Sequence, residues 1–256
     1  MVSYTLNHII LHVPHASLHI PKDIRSTILL DEQELELELL AMTDRYTDEL
    51  FAVPEARMIK SPVSRLVVDM ERFRSDENEV MASVGMGAVY ERTAAGNKLR
   101  NLSPEVRDAL LTEYYDPYHK DFEEAVEACL ARHNHCLIID CHSFPARPLP
   151  YELDQEPSRP EICLGICDYH TPPALKDYAV NWMSGYFTGA VNRPFAGTFV
   201  PNRYYRQDKR VSSIMIEVNR SLYMEEATGE KNAGFGRIKE LMTEFIVGVQ
   251  NLLIHL

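Results

Sequence analysis

Histidines, carboxylates and arginines gather at the ends of apolar runs in this sequence. His12-Val13-Pro14-His15 closes the first run, and Asp69-Met70-Glu71-Arg72 follows Arg65–Val68. Asp140, His142 and Ser143 follow Leu137–Ile139, and the last run, SIMIEVNR, brings Glu217 and Arg220. Such a set suits a metal-dependent hydrolase. A catalytic zinc takes three protein ligands from His, Asp, Glu or Cys and keeps a position for water. The ion polarises a carbonyl and brings the bound water's pKa near neutrality. A separate carboxylate moves the proton to the leaving nitrogen. Arginines clamp a substrate carboxylate or steady an oxyanion.

Spacing alone leaves other readings open, since there is no His-Glu-x-x-His and no Cys-x-x-Cys pair. His15 and His142 also read as hydrogen-bonded histidines at loop starts, and Asp44 and Asp48 as a solvated helix face. Glu217 stands out because burying it amid Ile214, Ile216 and Val218 is costly without a partner. A serine nucleophile at Ser143 lacks a G-x-S-x-G elbow. Cys141 should point away from His142 on an extended strand.

The elements that must position these residues are legible as apolar runs. His8–Val13, Arg65–Asp69, Leu137–Asp140, Glu161–Ile166 and Ser213–Val218 read as buried strands. They do not alternate, so both faces of a central sheet should be covered by helices. Asp31–Phe51 carries Leu35, Leu39, Met42, Tyr46 and Leu50 at helical spacing and reads as one amphipathic helix. Ser103-Pro104-Glu105 reads as an N-cap, a proline at the first helical position and an early acid. Pro117 should kink or restart that helix before Tyr118–Ala131. Pro173–Gly185 and Gly236–Leu253 are two further helices. Arg74–Leu102 and Phe144–Pro160 read as long loops, which in compact domains tend to be functional or disordered. The alternation predicts an α/β fold with a largely parallel or mixed sheet.

A chain of 256 residues fits one α/β domain. The net charge of −12 disfavours a broad phosphate-tracking surface, so nucleic acid is not an expected partner. An anionic substrate must then meet a local cluster of arginines. No stretch approaches the ~20 apolar residues that span a bilayer, and the N-terminus has no basic stretch of the signal-peptide kind. Five scattered cysteines, Cys129, Cys136, Cys141, Cys163 and Cys167, point to reduced thiols and a cytoplasmic location.

The segments IILHVPHAS, TDRYTDELF, SPVSRLVVDMERF, LIIDCHSFP, EICLGI, NRPFAGTFV and SIMIEVNRSLY resemble, in order, the motifs of the N-formylglutamate amidohydrolase family. The resemblance runs from about residue 8 to residue 224. It implies a single domain over 1–256, similar in fold to zinc carboxypeptidases and aspartoacylase. It further implies a zinc-dependent hydrolase that cleaves the amide of an N-formyl or N-acyl amino acid such as N-formylglutamate.

By motif position His15 and His142 match the histidine ligands of zinc. The carboxypeptidase-like pattern would put a glutamate where Leu18 stands, so the acid ligand is expected at Asp44, with Asp48 as the alternative. Glu217 matches the catalytic glutamate, and Arg65 and Arg72 the family's two arginines. One of these should bind a substrate carboxylate and the other steady the scissile carbonyl, with Asp69 holding one of them. Glu71 departs from the family's asparagine, and an extra carboxylate there would repel a dianionic substrate or mask Arg72. Arg203, in an arginine-rich stretch unlike the family's, is the one of that stretch expected to reach the site. A different deacylase or carboxypeptidase-like substrate, or a non-catalytic ligand-binding role, are the alternatives.

Overall fold

The computed structural model describes residues 6–253; residues 1–5 and 254–256, the ends of the expected domain, lie outside the described residues. Six strands form the main sheet: β1 Ile9–Val13, β2 Arg57–Lys60, β3 Cys136–Phe144, β4 Ile162–Gly165, β5 Gly189–Val191 and β6 Val211–Asn219. Their spatial order is β2-β1-β3-β6-β4-β5. Every neighbouring pair is parallel except β4 with β6. The fold is therefore α/β with a mixed, mostly parallel sheet flanked by helices, as expected.

The helices are α1 Lys22–Arg25, α2 Glu32–Met42, α3 Thr47–Leu50, α4 Pro104–Leu110, α5 Asp116–His133, α6 Pro173–Tyr186 and α7 Phe235–Leu253. On one face of the sheet, Leu11, Ile139 and Ile216 meet Leu50 of α3, Trp182 of α6 and Phe245 of α7 in a single core. Trp182 and Phe245 pack edge to face with centroids 4.9 Å apart, so truncating Phe245 to alanine should cost about 3–5 kcal/mol. On the other face, Ile10 and Ile138 meet Phe122 and Val126 of α5. Among the described residues no helix is long and apolar enough to cross a membrane.

Several local signals hold. The Ser103 hydroxyl accepts from the Val106 N–H and Pro104 opens α4. One π turn at Leu111–Tyr115 separates α4 from α5, with Pro117 in the first turn of α5. A proline there offers no N–H to the preceding turn, and a wider turn is one way for a helix to absorb that loss.

Two expectations are corrected. Arg65–Asp69 is a turn, in which the Val67 N–H bonds to the Ser64 carbonyl, and the edge strand is Arg57–Lys60. Leu66, Val67 and Val68 are apolar because they are fully buried, and a short buried run reads alike in strand and turn. Asp31–Phe51 is not one helix either: α2 ends at Met42, Tyr46 adopts φ 67°, and α3 restarts at Thr47.

Candidate active site

The floor of the site is the carboxyl end of β1, β3 and β6, where ligands bind in open α/β sheets. Register sets it. His12 lies beside Asp140 and His142 beside Glu217, and side chains in register on parallel strands share a face. The same strands send Leu11, Ile139, Cys141 and Ile216 into the opposite core. On β1 and β3 the site-facing positions start apolar, at Ile10 and Ile138, and turn polar towards the carboxyl ends. Cys141 thus points away from His142, as its strand position predicts.

Each of the two expected histidine ligands is oriented by a buried carboxylate. His15 Nε2 lies 2.8 Å from Asp69 Oδ1. Burial opposes charge on Asp69, yet Arg65 and His15 hold its carboxyl well below the usual range. An ionised carboxylate only accepts, so His15 Nε2 carries a proton, and in the neutral tautomer the lone pair is then on Nδ1. That Nδ1 is buried and has no hydrogen-bond partner. His142 Nε2 lies 2.9 Å from Asp140 Oδ1. Asp140 also accepts from His12 Nδ1 at 2.7 Å and from the Phe199 N–H at 2.8 Å. Carboxylates behind metal-binding histidines fix the tautomer and ring orientation in this way.

The interruption after α2 delivers Asp44. Its N–H bonds to the His15 carbonyl at 3.0 Å, and its side chain is 3% exposed. Arg220 Nη2 donates to Asp44 Oδ1 at 2.9 Å and Nη1 to the Ala41 carbonyl at 2.6 Å. Asp44 Oδ2 is left 3.1 Å from His142 Nδ1 and 3.7 Å from His15 Nδ1. Burial would raise the Asp44 pKa, but His142, His15 and Arg220 hold it well below the usual range.

His15, Asp44 and His142 therefore offer one ligand atom each within 4.8 Å of one another. A divalent cation fits this donor set in three respects. His15 Nδ1 is an orphaned buried lone pair. Both imidazoles have their second nitrogen on a carboxylate. His142, although burial disfavours its charge, is held well above the usual imidazole range by Glu71 and Asp140, so the acids around it favour a positive charge there. Two nitrogens and a carboxylate suit zinc, and iron, cobalt or nickel as well. A second group, His12, Glu71, Asp140 and His142, also clusters, but His12 and His142 both spend a nitrogen on Asp140.

Glu217 completes the floor. It lines the cavity, and its Oε2 is buried without a partner. Burial, reinforced by the nearby Asp44 and Glu71 against the opposing pull of His142, pushes its pKa up to about 8. A carboxyl group titrating near neutrality is suited to moving protons. The cavity above the floor has a volume of about 680 Å³ and reaches from His15 to Leu153 and Phe195.

A sequence profile of the N-formylglutamate amidohydrolase family matches residues 7–224. The chain belongs to the N-formylglutamate amidohydrolase family. As a member it is a hydrolase acting on an amide C–N bond. An N-formylglutamate deformylase of Pseudomonas aeruginosa is 24% identical over 203 residues, covering 75% of this chain and 74% of that protein. The structure of an N-formylglutamate amidohydrolase from Ralstonia eutropha JMP134 superposes with a TM-score of 0.83 at 23% identity, covering 97% of this chain and 94% of that one. A gene product of Agrobacterium tumefaciens superposes with a TM-score of 0.61 at 19% identity, over 95% of this chain and 92% of that one.

Within this family member, the expected residues divide clearly. His15, Asp44, His142, Glu217, Arg65 and Arg72 all line the cavity. Asp48 instead pairs with Lys60. Arg203 does not reach the site: its guanidinium bonds to Glu127 of α5 at 3.1 Å and is 55% exposed. Arg65 lines the cavity but its donors are committed to Asp69, Tyr90 and the Met42 carbonyl. It is therefore a positioning residue rather than a substrate clamp. Asp69 does more than the expected arginine pairing, since it also orients His15.

Asp140 and Arg220 sat at run ends, yet nothing local revealed their partners, which lie on other elements. His119 of α5 was missed altogether. Burial and nearby His12 hold it near a pKa of about 4, a neutral wall of the cavity.

Proposed function

We propose that this protein hydrolyses the amide of a small N-acyl amino acid, the class to which N-formylglutamate belongs, with a divalent metal held by His15, Asp44 and His142. The convergence of these three donors beside the unpartnered Glu217 carboxyl carries the reading. A metal in this donor set supplies Lewis-acid polarisation of the carbonyl and a water nucleophile at neutral pH, with zinc the expected ion.

The chain's own groups do the rest. Glu217 takes the proton of the attacking water at Oε2, the oxygen without a partner. Water oxygen bonds to the acyl carbon, the C–N bond breaks, and Glu217 returns the proton to the departing nitrogen. Products are a carboxylate and an amine. Asp69 and Asp140 hold the imidazoles in place throughout. Arg220 holds Asp44. Arg72, at the cavity wall, receives a substrate carboxylate.

Metal content by plasma mass spectrometry, with His142→Ala alongside, tests the reading. About one zinc per chain that vanishes in the variant is the expected outcome, followed by turnover on N-acyl amino acids. No metal after zinc reconstitution, or ligand binding with no product, would favour the non-catalytic role.

A further inference from the structure

Three arginines line the cavity against seven carboxylates, and the three differ in what they can still bind. Arg65 is committed as described. Arg220 spends Nη1 and Nη2 on Ala41 and Asp44, and Nε on Ser143 Oγ at 3.3 Å. Arg72 is different. Its nearest acids, Asp69 and Glu79, lie 3.7 and 3.8 Å away, beyond hydrogen-bond distance, and its buried Nε has no partner. Among the described residues lining the cavity, Arg72 alone keeps a guanidinium free to grip a carboxylate bidentately.

A second substrate carboxylate would meet acids instead. Glu71 reaches into the cavity, 3.1 Å from His142 Nε2 and 3.7 Å from His15 Nδ1. Glu79 is buried behind Arg72 and tied to the Phe73 and Met81 N–H groups. Like charge at close range in a partly dry cleft is a strong means of excluding a ligand.

Part of the remaining wall is apolar, although Glu152 and Asp154 flank Leu153 there. Phe73, Val80 and Leu153 line the cavity and yet are 47%, 73% and 87% exposed. Phe144 and Phe195 face the same space, with centroids 5.7 Å apart. Exposed apolar groups that converge on one cleft, rather than scatter, mark a binding surface. A cavity of about 680 Å³ also exceeds the need of a formyl group and a glutamate side chain, and lies mid-range for sites that enclose much larger ligands.

We propose that the preferred substrate is an N-acyl amino acid with a single carboxylate, gripped by Arg72, and an aliphatic or aromatic arm laid against Phe73, Val80 and Leu153, and that Glu71 selects against a second carboxylate. This rests on the deacylase reading above. The apolar arm belongs either to the amino acid side chain or to the acyl group.

The test compares N-formylglutamate, N-formylphenylalanine and N-benzoylglycine in two assays. One is kcat/KM on the zinc-loaded protein. The other is calorimetric binding to Glu217→Gln. Expected is at least about tenfold preference for one of the two apolar monoanions over N-formylglutamate, the scale of pocket discrimination by charge and apolar fit. Which of them wins identifies the arm. Glu71→Asn should shrink the preference about tenfold by raising N-formylglutamate. Preference for N-formylglutamate in binding or turnover overturns the proposal, as does a Glu71→Asn variant with the wild-type ratio. Tight binding of an apolar monoanion with no turnover of any compound would support this selectivity while overturning the deacylase reading.

Discussion

Asp69→Asn should cost this protein more than any other single-atom change at the site. The Asp69 carboxylate is fully buried and accepts from Arg65 Nη2 at 2.8 Å, Arg65 Nε at 3.3 Å, the Glu71 N–H at 3.0 Å, His15 Nε2 at 2.8 Å and the Tyr90 hydroxyl. An amide keeps one accepting oxygen and turns the other into a donor. Arg65, only 8% exposed, is then a buried cation without its counter-charge. Removing one member of such a pair costs about 3–5 kcal/mol, mostly the penalty of the charge left behind. For a chain of this size that corresponds to a melting point lower by roughly 6–20 °C.

Calorimetric unfolding in chelator measures this without any contribution from metal. Asp48→Asn, which breaks the surface pair with Lys60, is the control and should stay within about 1 kcal/mol. An Asp69→Asn protein that unfolds within about 1 kcal/mol of wild type would refute the reasoning, because Arg65 would then have to be solvated or otherwise neutralised.

Glu217→Gln should keep its metal by mass spectrometry while losing about 10²–10⁴-fold in kcat; substantial turnover would remove Glu217 from its role. Asp140→Asn should weaken metal binding about 10–100-fold, read by competition with a chromophoric chelator, since the amide has no charge and keeps one accepting oxygen for the donors of His12, His142 and Phe199. Arg72→Ala should raise KM with a smaller effect on kcat, a loss of uniform substrate binding; unchanged KM would count against the clamp. His8, buried and flanked by His135 and His133, is held at a pKa of about 4 against an ordinary 6.5. Its folded form binds the proton less readily than the unfolded chain, so its stability contribution is present above about 6.5 and is lost as pH falls towards about 4. Wild type should therefore lose stability relative to His8→Asn across that window in urea unfolding, and parallel pH profiles would refute the assignment.

What the sequence conveyed about this site followed from how local each signal is. The Ser103-Pro104 helix start is a matter of neighbouring residues and was legible. So were β1, β3 and β6, whose long apolar runs are their own signature, and with them the strand-end positions of His15, His142 and Glu217. Asp44 lay hidden in helical spacing, because the break at Thr43–Tyr46 carries no proline or glycine and is held by partners elsewhere. One is the His15 carbonyl. Another is Gly229, whose carbonyl accepts from the Tyr46 hydroxyl at 2.8 Å. Family motif order, not periodicity, pointed to Asp44. Arg65–Asp69 was misread for the converse reason: its hydrophobicity reports burial, and its turn exists to aim Arg65 and Asp69 at one another. Arg203 carried a charge pattern but no local cue to its partner on α5.

The floor of this cavity is built on paired strands, whereas its walls come from the loops around Phe73–Met81 and Leu149–Leu153. Strand positions are pinned by a ladder of backbone bonds and by the core beneath. Variation can therefore accumulate in the walls while the reacting groups stay still. A lineage built this way is free to change its diet without relearning its chemistry, and a laboratory library confined to those loops should alter which amide is cut more readily than how fast the bond breaks.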